Sequence, residues 1–131
     1  MSEIYDDLDE LPAPPRKSIP EADRELLKLA ARALDAVRIE DVDGEQWLIL
    51  HFTDGTVMHG WNPLLFYGDT FELAVRLGLQ VKPGTYRDEA ATAYSPSGVE
   101  AKERVHYQQD MLSATARAVV RAAAEIGKQR A

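Results

Sequence analysis

The chain of 131 residues contains no cysteine. This excludes disulfide staples, thiolate metal ligands and a cysteine nucleophile, and it suits a reducing compartment. Histidine is scarce, with only His51, His59 and His106, and no His-X-His or His-X₃-His pair occurs. A metal site is therefore not expected, because a metal needs clustered ligands. Gly-X-Gly-X-X-Gly, Walker and Gly-X-Ser-X-Gly patterns are all missing, so neither a phosphate-cradling loop nor a nucleophile elbow is expected. Ser95 and Ser97 read as loop serines, and Asp41, Asp43 and Asp69 have adequate turn or capping roles. No catalytic residue and no cofactor are assigned.

No apolar run approaches the roughly 20 residues that span a bilayer. The N-terminus lacks the basic and apolar regions of a secretory signal. A cytoplasmic location, in a bacterial host, and no membrane partner are the expectation. Excess positive charge is missing too. The net charge is −7, and a nucleic-acid surface should be basic, so direct nucleic-acid binding is not expected. Glu3, Asp6, Asp7, Asp9 and Glu10 supply five of those negative charges, which leaves −2 on residues 11–131. Lys102, Arg104, Arg117, Arg121, Lys128 and Arg130 give the last third a local positive excess, read as a solvated helix face rather than a DNA contact.

With 45% hydrophobic residues, the chain can build one core. Residues 1–19 combine the acidic run with Leu11-Pro12-Ala13-Pro14-Pro15 and read as a disordered arm. Ser18 and Glu21 have capping-box spacing, and a helix should run to about Ala36. Its apolar stripe is Leu26, Leu29, Ala30, Ala33, Leu34 and Val37.

Three β-type runs follow: 37–42, 47–52 and 57–61. Asp43-Gly44 and Asp54-Gly55 separate them, and Asp-Gly suits the two-residue turns of hairpins. Such turns would pair Ile39 with Leu48, Val37 with Leu50, Phe52 with Val57, Leu50 with His59 and Leu48 with Trp61. One face then holds Val37, Ile39, Leu48, Leu50, Phe52, Val57, His59 and Trp61, and should receive the first helix. The other holds Arg38, Glu40, Trp47, Ile49, His51 and Met58. On this register His51 and His59 point to opposite sides. His59 reads as a core or edge histidine and not as a catalytic base.

Pro63 ends the third strand. Asp69 with Glu72 resembles a capping box for a helix over 70–77, closed by Gly78 with Leu79 folding back. A fourth strand at 79–82 is indicated, residues 83–106 carry little signal apart from the loop Tyr94-Ser95-Pro96-Ser97-Gly98, and 107–126 read as an alanine-rich helix ended by Gly127. Leu112, Ala116, Val119, Ala123 and Ile126 form its stripe. The fold class is α+β: a three- or four-stranded antiparallel meander with helices packed on it, in the order α-β-β-β-α-(β)-α, residues 20–131 forming one domain.

Trp61-Asn62-Pro63-Leu64, then Gly68-Asp69 and Leu73-Ala74-Val75-Arg76-Leu77, resembles the "WNPL…GD…LAV.L" segment of a family of small proteins of tailed bacteriophages and prophages. The stretch from Ala114 to Gly127 is similar to that family's Ala/Arg-rich C-terminal segment. In this chain the intervening loop is apolar (Leu64, Leu65, Phe66, Tyr67), where the family pattern is polar or acidic. The resemblance implies a phage origin and brings no catalytic residues.

An apolar surplus remains. Trp47, Ile49 and Met58 share the second sheet face, and Leu64 to Tyr67 line a loop, where chain runs over the surface. The C-terminal helix, a second copy in a homodimer, or a foreign partner could cover them. The resulting functional expectation is a non-enzymatic protein that binds and modulates a host protein, an inhibitor of a host defence system such as CRISPR-Cas being the concrete form. Its partner-binding residues would be Trp47, Met58, Leu65, Phe66 and Tyr67. The alternatives are a homodimeric structural phage protein, or a small-molecule or nucleotide-binding module or small enzyme with a pocket at Trp61, Asn62 and Asp69.

Overall fold

The computed structural model describes residues 18–85, 90–106 and 110–130. Most of the N-terminal arm, 1–17, lies outside these residues; Ile19, assigned to the arm above, is buried in the core. Among the described residues three helices, α1 (Glu21–Ala33), α2 (Tyr67–Leu77) and α3 (Met111–Arg130), alternate with strands β1 (Arg38–Asp41), β2 (Leu48–His51), β3 (Val57–Trp61), β4 (Gln80–Lys82), β5 (Ala91–Tyr94) and β6 (Glu100–Glu103). The class is α+β. The strands form two antiparallel meanders, β1-β2-β3 and β4-β5-β6. The fourth strand thus opens a second sheet and does not extend the first.

The first meander departs from the two-residue-turn register in an informative way. Phe52 donates its N–H to the Thr56 carbonyl and Gly55 donates to the Phe52 carbonyl, with Gly55 at φ +87°. This is the three-residue hairpin loop with glycine in the left-handed position. It slips β3 by one residue, so Leu50 pairs with Met58 and His51 with Val57. A one-residue slip exchanges faces. Met58 therefore packs against the core, while His59 and Val57 turn outward and are exposed. A bulge then restores the phase, with Gly60 at φ +69°, and Trp61 pairs with Leu48 as the sequence suggested.

Between β1 and β2 the Asp43-Gly44 pair does sit at a turn, closed by Glu45 N–H to the Val42 carbonyl, but the connection spans residues 42–47. Ile39 pairs with Leu50 and Asp41 with Leu48, a shift of two residues from the expected register. Because two is the period of a strand, the faces survive: Ile39, Leu48 and Leu50 still share the core side. Val37, expected in that core, is exposed.

Helix α3 is the centre of the molecule. Ala114, Ala116, Ala118, Val119, Val120 and Ala122–Ala124 are buried, so it is apolar around most of its circumference. A helix of that kind is covered on several sides. It packs closely against α1, β5, β6 and α2. The first helix thus lies mainly on α3 and not on the first sheet. The two helices run parallel, tied by Arg117 to Asp23 at 3.1 Å near one end and by Arg130 to Asp35 at 3.1 Å near the other. Gly127 does not end α3. It lies inside the helix, where a Cβ would stand 1.8 Å from the Leu29 carbonyl oxygen. The residue read as a stop is the point of closest approach between two helices.

Helix α1 also buries a broader face than the stripe suggested. Leu27, Ala30 and Ala31 are its most enclosed residues, and Arg24 and Lys28 reach Asp41 at the end of β1, at 3.1 and 3.6 Å. Its N-cap is Pro20, with no side-chain cap, so the Ser18–Glu21 box does not form. The Asp69–Glu72 box is not formed either, since α2 begins at Tyr67 with Phe66 as N-cap. Gly78 does close α2 in the left-handed conformation, and the Leu79 N–H returns to the Ala74 carbonyl. The second meander contains the segment that carried little signal. Its Ser95–Val99 loop repeats the glycine-closed hairpin, with Ser95 N–H to Val99 O and Gly98 N–H to Ser95 O.

Candidate docking surface

The Trp61-Asn62-Pro63 corner fixes how the chain leaves the first sheet. Trp61 and Asn62 are buried. The Asn62 amide nitrogen donates to the Gln46 carbonyl at 2.6 Å, its side-chain oxygen accepts the Leu64 N–H at 3.0 Å, and its backbone N–H donates to Asp69 Oδ2 at 3.0 Å. Both side-chain polar ends are used locally, as expected of a buried amide. Thr70 Oγ1 adds a bond to the Pro63 carbonyl. Burial pushes the Asp69 carboxyl above the usual aspartate range; the Asn62 N–H opposes this and the Glu72 charge adds to it. Trp61, Asn62 and Asp69 do come together, as a corner whose polar groups serve the chain itself.

That corner ejects the following residues. The N–H groups of Leu65 and Phe66 both return to the Asn62 carbonyl, at 3.1 and 2.8 Å. This tight turn leaves Leu65, Phe66 and Tyr67 between 40 and 46% exposed. Of the five partner-binding residues expected, these three lie together on the surface. Met58 is on the core side beside Leu50, and Trp47 is half-buried on the stretch leading into β2. Trp47, Ile49 and Met58 therefore do not form one patch.

The exposed loop continues into α2. Thr70, Leu73 and Ala74 face the core, while Phe71 and Val75, one and two turns on from Tyr67, are 73% and 63% exposed. Leu112 on α3, expected in the buried stripe, is 66% exposed. Tyr67, Phe71, Val75, Val81, Leu112 and Val119 line an apolar groove of about 530 Å³ between α2, β4 and α3. Sequence reasoning missed Phe71 and Val75 because this helix was read from its end signals and its faces were not assigned. The signal was that α2 carries two apolar stripes, one toward the core and one at Tyr67, Phe71 and Val75.

Several other groups that could do chemistry are engaged elsewhere. Among the described residues no three His, Asp or Glu side chains are grouped to hold a metal. His51 and His59, now on one side of the sheet, do not change this. His51 Nε2 lies 3.0 Å from Glu40, which also meets Arg38. Ser95 and Ser97 bond each other at 2.7 Å within their turn. In the basic C-terminal third, Lys102 meets Glu100, Arg117 Asp23, Arg121 Glu103, Lys128 Glu125 and Arg130 Asp35. Five of the six cations named there thus have an acidic partner, which leaves little of that face for phosphates. A second hollow, of about 460 Å³ beside Ser97 and Arg121, has that guanidinium already bonded to Glu103 and to the Lys102 carbonyl.

No protein-family model, no curated protein and no solved structure matches the chain.

Proposed function

We propose that this chain is a non-enzymatic docking protein, encoded by a phage or prophage, that binds and modulates a host protein. One observation carries the docking reading: Tyr67, Phe71, Val75 and Leu112 are large, apolar and solvent-exposed and line one groove, and the exposed Leu65 and Phe66 directly precede Tyr67 in the chain. Scattered exposed hydrophobics are ordinary, but contiguous ones mark contact sites. Three of the six are aromatic, and large aromatic side chains are frequent anchors of protein interfaces. The phage origin and the host target rest on the resemblance of the Trp61–Leu77 segment. Inhibition of a defence effector would suit a protein that acts by covering a surface.

A small enzyme or ligand-binding module at Trp61, Asn62 and Asp69 has less support, because Asn62 spends its side-chain hydrogen bonds on Gln46 and Leu64. The test is affinity capture from host lysate with the wild-type protein and a Phe66→Asp/Tyr67→Asp variant, followed by reconstitution with the purified captured protein. Binding by the first and its loss in the second, with both folded, is the expected result. Equal binding by both forms, or a reconstituted complex that forms with neither, would overturn the docking reading.

A further inference from the structure

The geometry points to a second copy of this chain as the occupant of the α2–β4–α3 groove, with two protomers related by a two-fold axis and their α2 helices antiparallel. This rests on the apolar face that carries the docking reading: the second copy covers the groove in the free protein, and a host protein would displace it there.

The area argues for an interface of substantial size. Aromatic side chains carry about 150–250 Å² each and Val and Leu somewhat less, so the exposures of Tyr67, Phe71, Val75, Val81 and Leu112 leave on the order of 500 Å² bare. Monomers rarely carry a larger single patch than about 300–600 Å², whereas a stable dimer uses about 800 Å² from each partner. The apolar residues alone supply most of that need, and the polar rim of α2 lies within the same footprint.

The shape suits self-pairing. An isologous contact needs one surface that offers both the projection and the recess. Phe71 and Val75 project from α2, and the groove lies directly beside them. Turning one copy about a two-fold axis level with Ala74 seats Phe71 of each protomer against the groove of the other and sets Glu72 opposite the partner's Arg76.

Charge agrees with the shape. Glu72 and Arg76 stand on one flank of the exposed stripe, 3.2 Å apart and each nearly half exposed. Arg76 also lies over the Phe52 ring, at 5.9 Å from its centre, which holds it on that flank. In an antiparallel pair Glu72 approaches the partner's Arg76 and the reverse, so a flank whose two charges cancel within one protomer is complementary to its own copy.

Sedimentation velocity over a range of concentrations tests this directly. The wild type is expected to move from the 14.6 kDa monomer to twice that mass as concentration rises. Phe71→Glu should remain monomeric with an unchanged circular dichroism spectrum, since Phe71 is largely exposed. Glu72→Arg and Arg76→Glu should each weaken dimerisation by at least about tenfold through like charges across the axis. An equimolar mixture of those two variants should recover the dimer, because every cross-axis contact then joins opposite charges. A purely structural effect of either substitution would not be rescued in trans. A wild type that stays monomeric at high micromolar concentration, a Phe71→Glu protein that still dimerises, or a mixture no tighter than its components would each overturn the inference. A monomer that captures its host protein would leave the docking reading intact and remove only the dimer. A dimer that captures nothing would do the opposite.

Discussion

Replacing Gly127 by alanine sets two effects against each other. A glycine inside a helix is about 1 kcal/mol less favourable than alanine, so propensity alone predicts that Gly127→Ala stabilises α3. Packing predicts the reverse. The new Cβ would stand 1.8 Å from the Leu29 carbonyl oxygen and 2.8 Å from its carbon. Both atoms are backbone of α1, so no side chain can rotate aside. Restoring an ordinary carbon–oxygen contact of about 3.3 Å requires α1 to retreat by roughly 1.5 Å. That retreat loosens Leu27, Ala30 and Ala31, which are fully buried. Overpacking a core typically costs about 1–3 kcal/mol, and a clash with immovable backbone belongs at the upper end. After subtracting the propensity gain, the net loss should be about 2 kcal/mol, or a fall of roughly 6–10 °C in melting temperature. Urea unfolding followed by circular dichroism reads this. A Gly127→Ala protein as stable as the wild type, or more so, would refute the close parallel packing of α1 on α3.

Asn62→Ala leaves the Gln46 carbonyl and the Leu64 N–H without their partner; a loss of about 2 kcal/mol is expected in the same assay, since each abandoned buried group costs about 1–3 kcal/mol. Asp69 gives a pH signature. Its folded pKa is raised, so the ionised carboxylate costs stability at neutral pH and that cost disappears as pH falls through the raised value. Relative to Asp69→Asn, the wild type should therefore gain stability on acidification through the window just above the ordinary aspartate range; a constant difference across it would contradict the burial argument. Asp54 works in the opposite sense. The Thr56 hydroxyl and N–H hold its carboxyl below the usual range, so Asp54→Asn should remove stability at neutral pH that the wild type itself loses only in acid.

The parts of the fold legible in the sequence were those set by local pattern. The apolar alternation of Leu48 and Leu50, the left-handed stop at Gly78 and the loop ending at Gly98 are all where residue type placed them. The first meander was legible in outline but not in register. Asp54-Gly55 supports either a two- or a three-residue loop, and the choice moves Met58 and His59 across the sheet. Strands β5 and β6 had almost no signal, because Ala-Thr-Ala-Tyr and Glu-Ala-Lys-Glu lack the branched and aromatic residues of ordinary strands. They are strands because α3 packs closely over them, and small side chains permit that approach. Gly127 misled for the same reason, since a glycine at a helix crossing and one at a helix end look alike in sequence. At the candidate site, the apolar loop at Leu65, Phe66 and Tyr67 was visible as an excess of hydrophobic residues where chain must run outside. Its continuation through Phe71, Val75 and Leu112 depends on how α2 and α3 are rotated against each other, which only the tertiary packing decides.

The most direct test of the docking account is titration calorimetry of the purified, reconstituted partner against the wild type and against Phe66→Asp/Tyr67→Asp. The account predicts binding with a negative heat-capacity change, as apolar burial requires, and an affinity weakened by about a hundredfold or more in the variant. Equal affinities for the two proteins would contradict it and place the contact away from this face.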